Sequence, residues 1–317
     1  MNAPSRAAGV DAWTSIAPPA EDELLVVVGP TASGKTELAI RLAERFGGEV
    51  VGADSVQIYR SFDIGSGKPT AAERARAPHH LVDALDPLEA IDARRYAEMA
   101  EAAIDDVRRR GRAPIVCGGT FLWIKALVWG LSPGPAADPA VRERHLAITE
   151  AEGRAALHAR LALVDPESAA RLAPNDRVRV SRALEIFELT GRPQSAWHAE
   201  HGFREQRHAA RLVSVRRERD ELDQHIEARV AAWLAEGWVE EVRQLLARGY
   251  ADARAMGSVG YRQVREHVDR SSPGGAGTER GVPNGEELAG AIVRATRVFA
   301  RRQRTWLRDQ EVACVTL

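Results

Sequence analysis

Eight consecutive residues, Gly29-Pro30-Thr31-Ala32-Ser33-Gly34-Lys35-Thr36, have the types and spacing of a phosphate-binding loop. They follow an apolar run, Leu24–Val28, and precede a helical pattern from Glu37, so the context is strand, glycine loop, helix. There, successive backbone N–H groups form an anion nest, and the following helix adds the positive end of its dipole. Lys35 supplies a point charge, and the hydroxyl of Thr36 can reach a magnesium ion (Mg2+). The sequence therefore predicts a di- or triphosphate ligand on Gly29 through Thr36.

Three further positions can do chemistry beside such a ligand. Asp54 closes the apolar run Glu49–Ala53, and an open parallel sheet gathers its ligand groups at the carboxyl ends of its strands. A carboxylate there can act as a general base or bind a metal-bound water; the plain alternative is a capping or loop aspartate. Thr120 follows Gly118-Gly119 after the run Ala113–Cys117, and the glycines permit close approach of backbone to a ligand. Many P-loop ATPases end such a strand in an aspartate that helps hold magnesium. Gly-Gly-Thr in its place argues against a motor ATPase and leaves a small kinase open. Arg219, just past the run Arg211–Arg216, stands within reach of the phosphate loop.

Other candidates are weaker. All but three of the 44 lysine-plus-arginine residues are arginine. Lysine kept against such a bias suggests a site that wants a compact ammonium; Lys35 fits by its motif, whereas Lys68 and Lys125 are open between function and structure. Arg177, Arg179 and Arg182 cluster near one helix start. Arg294, Arg297, Arg301, Arg304 and Arg308 recur at steps of three and four, either a solvated helix face or a row of phosphate contacts. His79-His80 has no carboxylate or cysteine at ligand spacing and reads as a hydrogen-bonded structural pair.

The elements that position these residues alternate between the two periods. The strand candidates end at the chemistry-bearing loops, with helices at Glu37–Phe46 and Arg94–Arg110 between them. A Pro- and Ala-rich stretch, Ser132–Pro139, reads as a hinge. From Val141 to Gly191 every pattern is helical, the last helix being capped by Asn175-Asp176 and stopped by Gly191. Helical patterns return at Glu221–Leu246 and Glu286–Leu307. The expected fold is an α/β parallel-sheet core with an inserted all-helical domain. Residues 1–22 read as a flexible tail, 23–131 and 206–317 as the two parts of the core, 132–205 as the insertion, and 268–284 as a flexible loop.

Composition bounds the class. Of 317 residues, 44% are hydrophobic and 28% charged, with a net charge of −1. That is ordinary for a soluble globular protein, and any surface for nucleic acid must be local. Cys117 and Cys314 have no metal or disulfide spacing, which suits a reducing cytosol. The first twenty residues lack signal-peptide character, and no apolar run approaches a membrane span. The chain is therefore expected to be cytoplasmic, without a membrane partner, and monomeric.

Taken together, the motifs resemble those of the tRNA dimethylallyltransferases (tRNA isopentenyltransferases). The resemblance rests on the phosphate loop, Asp54-Ser55-Val56-Gln57-Ile58-Tyr59, Asp63-Ile64-Gly65, Lys68-Pro69 and Pro78-His79. It continues through Gly118-Gly119-Thr120, Leu131-Ser132, Pro174-Asn175-Asp176 and Ser181-Arg182-Ala183-Leu184-Glu185, then Val259-Gly260-Tyr261-Arg262-Gln263 and Arg304-Thr305-Trp306-Leu307. These matches are collinear from residue 24 to about 308.

The resemblance implies a P-loop kinase-like core whose helical insertion clamps the anticodon stem-loop of tRNA. It implies transfer of a dimethylallyl group from dimethylallyl diphosphate to N6 of adenosine 37. By the same token Asp54 is the base that takes the N6 proton and Thr120 its hydrogen-bonding partner. Gly29 to Thr36 and Arg219 would hold the diphosphate, with magnesium on Thr36. The tRNA-contacting positions implied are Asp54, Ser55, Val56, Gln57, Thr120, Arg142, Val178, Arg179, Val180, Ser181, Arg182, Gly257, Ser258, Val259, Gly260, Tyr261 and Arg262. The chain departs from the family's usual residues at Trp123, His225 and Gly257. The rival readings are an ATP-dependent small-molecule kinase, a transferase acting on free adenine nucleotides, and an RNA-binding GTPase-like switch. The last lacks an Asn-Lys-x-Asp stretch.

Overall fold

The computed structural model describes residues 11–132, 134–202, 206–271, 285–308 and 310–317. Its strands are β1 (Asp11–Ala12), β2 (Leu24–Val28), β3 (Gly48–Ala53), β4 (His79–His80), β5 (Ala113–Gly118), β6 (Ala210–Val215) and β7 (Val312–Thr316). They form one seven-stranded sheet in the order β1-β7-β6-β2-β5-β3-β4, with every pair parallel. β2 and β3 are buried along their whole lengths. A parallel strand covered on both faces requires such uninterrupted apolar runs.

Helices supply the crossovers. They are α1 (Lys35–Phe46), α2 (Ala71–Arg76), α3 (Ala93–Arg109) and α4 (Phe121–Trp129), then α5 (Pro139–Glu152), α6 (Arg154–Val164), α7 (Pro166–Arg171), α8 (Arg177–Thr190) and α9 (Gln194–His201). After β6 come α10 (Arg219–Ala235), α11 (Trp238–Ala247), α12 (Tyr261–Ser271) and α13 (Gly285–Arg308). The chain divides into two compact units, Met1–Val128 with Arg207–Leu317, and Trp129–Gln206. The first holds the sheet. The second is helical, with a core of Leu157, Leu161, Ala169, Val180, Ala183 and Leu184. No described helix is long and apolar enough to cross a membrane.

The register brings the loops that matter to one end of the sheet. Val28 pairs with both Gly118 and Ser214, and Ala53 with Gly118. The segments after β2, β3 and β5 therefore leave the sheet side by side. Gly118 makes this possible, since a Cβ there would lie 2.1 Å from the Ala53 carbonyl oxygen.

Three expectations are corrected. The flexible tail over 1–22 does not hold from residue 11 onward. β1 pairs with β7, a strand not expected from the sequence, and Ile16 is buried in the sheet core. The edge of β7 offers backbone partners that a polar stretch cannot reveal by itself; residues 1–10 lie outside the described residues. The loop expected over 268–284 begins later, because α12 runs to Ser271 and buries Val268; residues 272–284 lie outside the described residues. The helical run 221–246 is two helices. Gly237, at φ 102°, breaks it and turns Trp238 into the core.

Candidate active site

The phosphate loop takes its shape from two left-handed residues, Ala32 at φ 67° and Gly34 at φ 95°. Alternation of this kind turns successive N–H groups inward. For Ala32 it costs about 1–2 kcal/mol, strain of the sort that persists where a ligand site demands it. Gly34 is the N-cap of α1, so Lys35 and Thr36 lie in the first helical turn, at the positive end of the dipole. Ser33 is buried with its hydroxyl unpartnered among the described residues.

Two side chains from the far end of the chain brace this loop. The Thr31 N–H donates to Gln303 Oε1 at 2.8 Å, and Gln303 Nε2 donates to the Gly119 carbonyl at 3.0 Å. One amide thus ties the loop after β2 to the loop after β5. Arg229, on α10, donates to Thr31 Oγ1 and lies 4.6 Å from the centroid of the Trp233 ring.

Asp54 and Thr120 sit at the neighbouring strand ends. Asp54 Oδ1 accepts from the N–H groups of Val56 (2.9 Å) and Gln57 (3.2 Å). This Asx turn fixes the carboxylate and leaves Oδ2 without a hydrogen-bond partner among the described residues. Thr120 N–H donates to the Ala53 carbonyl at 3.1 Å, and its hydroxyl accepts from Ser55 N–H at 3.0 Å. Thr120 thereby holds the segment that carries Asp54.

These groups surround one cavity of about 410 Å³. Thr31, Arg229, Asp54 and Thr120 are among its polar lining residues, and Trp233, Trp238, Val259 and Phe299 among its apolar ones. The tryptophans need glycine opposite them. A Cβ on Gly65 or Gly260 would meet the Trp238 ring at 2.0 and 2.3 Å, and one on Gly67 would meet Trp233 at 2.8 Å. Glu241 anchors the Gly65 segment, accepting from the N–H groups of Asp63 (3.0 Å) and Ile64 (2.7 Å) and from the Tyr261 hydroxyl (2.6 Å).

The electrostatics favour an anion. Burial lowers the Lys35 ammonium from its usual range, with Arg229 adding to the effect; Cys117 and the Asp54 carboxylate oppose it. Burial brings Arg229 down to about 10, again against Asp54. Arg229 stays charged at neutral pH, yet neither cation has a carboxylate at salt-bridge distance among the described residues. Cys117, beneath the loop, is pushed up to about 12 by burial and is an inert thiol at neutral pH.

The other expected positions sort by burial. Ser55, Val56, Gly257 and Ser258 line the cavity with Asp54, Thr120 and Val259. A Cβ on Gly257 would meet nothing within 4 Å, so a longer residue would fit there. Gln57 is committed elsewhere, its amide donating to the carbonyls of Ser66 (3.1 Å) and Gly67 (2.9 Å). Gly260 and Tyr261 are buried behind the wall, and Arg262 and His225 are exposed. In the helical unit Val178 and Arg179 are exposed, whereas Val180 and Ser181 face its interior. The turn of α8 separates them, as adjacent helical residues point about 100° apart. Arg142 and Arg182 are tied to the buried carboxylate of Glu185, at 2.9 and 2.5 Å. Trp123 stacks on Tyr96 at 4.4 Å and is buried, which makes it a packing residue.

Arg219 does not meet the phosphate loop. α10 begins at that residue and carries its side chain to an exposed groove with α13. Arg217, two residues earlier and still in extended chain, donates to the Ser33 carbonyl at 3.2 Å and pairs with Glu221. Lys68 is structural: it donates to Tyr59 O (2.7 Å) and pairs with Asp63 (2.6 Å) and Asp83, closing the 59–83 segment. His80 bonds to Glu49 at 2.6 Å and His79 to Ala77 O at 2.7 Å, as expected of structural histidines. Sequence reasoning missed Arg229, Gln303 and the two tryptophans. The one available signal was Gln303, a lone amide within the basic run Arg301-Arg302-Gln303-Arg304.

The sequence matches the IPP transferase family over residues 57–310. It is 75% identical over 311 residues to the tRNA dimethylallyltransferase of Sorangium cellulosum, covering 98% of this chain and 96% of that one. It is 48% identical to the enzyme of that name from Anaeromyxobacter dehalogenans, over 90% and 92% of the two chains. Among solved structures, the tRNA isopentenylpyrophosphate transferase of Bacillus halodurans superposes with a TM-score of 0.66 at 34% identity, over 93% and 90% of the chains. A eukaryotic dimethylallyltransferase acting on tRNA gives 0.72 at 26% identity, over 93% of this chain and 74% of that one.

Proposed function

The chain belongs to the IPP transferase family, and from that premise we propose that it moves a dimethylallyl group from dimethylallyl diphosphate to N6 of adenosine 37 in tRNA. The observation that carries this reading is that Thr31 and Arg229, from the phosphate-loop neighbourhood, and Asp54 line one and the same cavity. It unites a group for the leaving anion with a group for the departing proton.

An exocyclic adenine amine is a weak nucleophile, because its lone pair is delocalised into the ring. An allylic diphosphate compensates by ionising readily. As its C–O bond breaks, negative charge grows on the diphosphate; Arg229 and Thr31 line the cavity that would hold it, and the loop N–H groups and Lys35 would be the further donors. Preorganised donors of this kind are worth about 3–4 kcal/mol each. As the N6–C bond forms, N6 becomes acidic and Asp54 Oδ2 takes its proton, a contribution on the order of 10²–10⁴-fold. Thr120 holds the Asp54 segment in place. The Trp233, Trp238 and Phe299 walls exclude water that would otherwise capture the allylic group.

Magnesium fits this donor set in one way. No group of three His, Cys, Asp or Glu residues able to hold a metal is present among the described residues. Thr36 would supply one oxygen and the diphosphate the rest, the usual arrangement for a magnesium ion that arrives with its phosphates. The ion would spread the charge of the leaving group. The substrate class makes a cytoplasmic location part of the proposal. The kinase alternative is not favoured, since the relatives named above carry the names of tRNA dimethylallyl or isopentenyl transferases.

The test is mass analysis of unmodified tRNA after incubation with the protein and dimethylallyl diphosphate, with ATP turnover measured alongside. The expected product is tRNA heavier by one dimethylallyl group at adenosine 37, and Asp54→Ala should form it at least about a hundredfold more slowly with tRNA affinity nearly intact. ATP consumption without a mass change would overturn the reading; near-normal turnover by the variant would remove Asp54 from it.

A further inference from the structure

Trp233, on α10, is held in place by three neighbours. The Arg229 guanidinium lies over its ring, 4.6 Å from the centroid. Gly67 backs its six-membered ring so closely that a Cβ there would stand 2.8 Å away. Trp238 meets it edge to face, with centroids 5.5 Å apart at 83°. Trp238 is fixed in turn: it is buried, Gly65 and Gly260 leave no room for a Cβ against its ring, and Tyr261 packs edge-on at 5.4 Å. Phe62 stands beyond Tyr261 at 4.9 Å. Both tryptophans line the reaction cavity.

Rings packed this closely have no void to recede into. Glycine at each backing position brings main chain, which yields less readily than a side chain, against the indoles. Arg229 is the guanidinium that the proposed function gives to the diphosphate. The first carbon of an allylic donor is one C–O bond from that diphosphate, so a short tail anchored there lies within reach of the Trp233 ring. The cavity measures about 410 Å³, near the lower end of the roughly 300–1,000 Å³ usual for one small ligand, and it must admit an adenine ring as well. A tail longer by one isoprene unit would have to displace a tryptophan.

We propose that Trp233, backed by Gly67 and Trp238, limits the transferred group to five carbons by excluding geranyl and longer allylic diphosphates. The proposal rests on the function argued above. Selection here comes from a steric clash with the wrong donor rather than from a contact peculiar to the right one. The chemistry is the same for either donor: the N6–C bond forms, the C–O bond breaks, the diphosphate leaves with the bonding pair, and the N6 proton goes to Asp54. Only the space for the tail differs.

The test offers the full chain dimethylallyl diphosphate and geranyl diphosphate separately, with unmodified tRNA, and reads kcat/KM for each donor from the mass of the product. The wild type should favour the five-carbon donor by at least about a hundredfold, since even one methylene is worth about 10–200-fold in an apolar pocket. Trp233→Leu should raise the absolute kcat/KM for geranyl diphosphate at least about tenfold and narrow the ratio accordingly. A merely structural role cannot produce that gain, because a damaged site loses rate with both donors. Should Trp233→Leu fail to fold, Trp233→Phe should narrow the ratio in the same direction by a smaller factor. A wild type that uses the two donors within about tenfold of each other, or a folded Trp233→Leu whose ratio is unchanged, would overturn the length limit and leave the proposed function standing. A wild type that transfers neither group to tRNA would overturn both.

Discussion

In the helical unit, Arg142 and Arg182 give their charge to one buried carboxylate, Glu185. Around the phosphate loop, Lys35 and Arg229 have no carboxylate at salt-bridge distance among the described residues. The same contrast recurs within the core. Arg217 touches the loop but is neutralised by Glu221, whereas Arg229 touches it through the neutral Thr31 hydroxyl and an aromatic face. A cation already matched by a carboxylate has little field left for a ligand. The two loop arginines therefore differ in the state of their charge, which exposure or position alone does not show.

The largest effect should come from neutralising the two loop arginines separately. Arg229→Gln should slow dimethylallyl transfer by about 10²–10³-fold, the cost of losing one preorganised donor. Arg217→Gln should cost less than about tenfold, because its charge is already spent on Glu221. Single-turnover transfer rates decide it, and equal losses for the two would refute the distinction.

Smaller effects set two carboxyls apart, the buried Glu185 and the half-buried Glu241. Burial pushes Glu185 up, but the hydrogen bonds from Arg142 and Arg182 outweigh it and hold the group below its usual 4.5. A depressed folded value contributes stability that is present above pH 4.5 and is lost as pH falls through the lower folded value. Glu185→Gln should therefore destabilise the protein by about 1–3 kcal/mol at neutral pH, since half-exposed arginines can turn to water. Denaturant titrations at pH 7 and pH 3 should show the gap narrowing in acid.

Glu241 is the converse case and gives the smallest effect. Burial raises its carboxyl above 4.5, with hydrogen bonds from Ile64, Tyr261 and Asp63 opposing. A raised folded value contributes stability that is present below 4.5 and is lost as pH rises through the folded value. Glu241→Gln should stay within about 1 kcal/mol of wild type at pH 7 and should flatten the loss above pH 4.5. A large destabilisation at neutral pH would show that the Asp63–Ile64 turn needs the full negative charge.

The features legible in the sequence are those that depend on neighbours along the chain. The phosphate loop is a local motif, its glycines and its strand-to-helix context lying within a few residues of one another. The apolar runs of β2, β3 and β5 carry their own signature, and so do the capped helices of the second unit. Asp54 and Thr120 could be chosen because a parallel sheet puts its ligand groups at strand ends, a rule that needs only the order of elements.

Tertiary structure decided which distant side chains meet that motif. Gln303 is 272 residues from the Thr31 N–H that it accepts, and Arg229 is 198 residues from the hydroxyl that it contacts. Among so many arginines the sequence favoured Arg219, next to a strand end, over Arg229, buried well inside a helix with no local mark. Nor could it separate Val178 and Arg179 from Val180 and Ser181, because the face a helix buries is set by its packing partner. β1 and β7 are the plainest instance: neither pattern announces a strand by itself, and β1 is one only because the edge of β7 is there to pair with it.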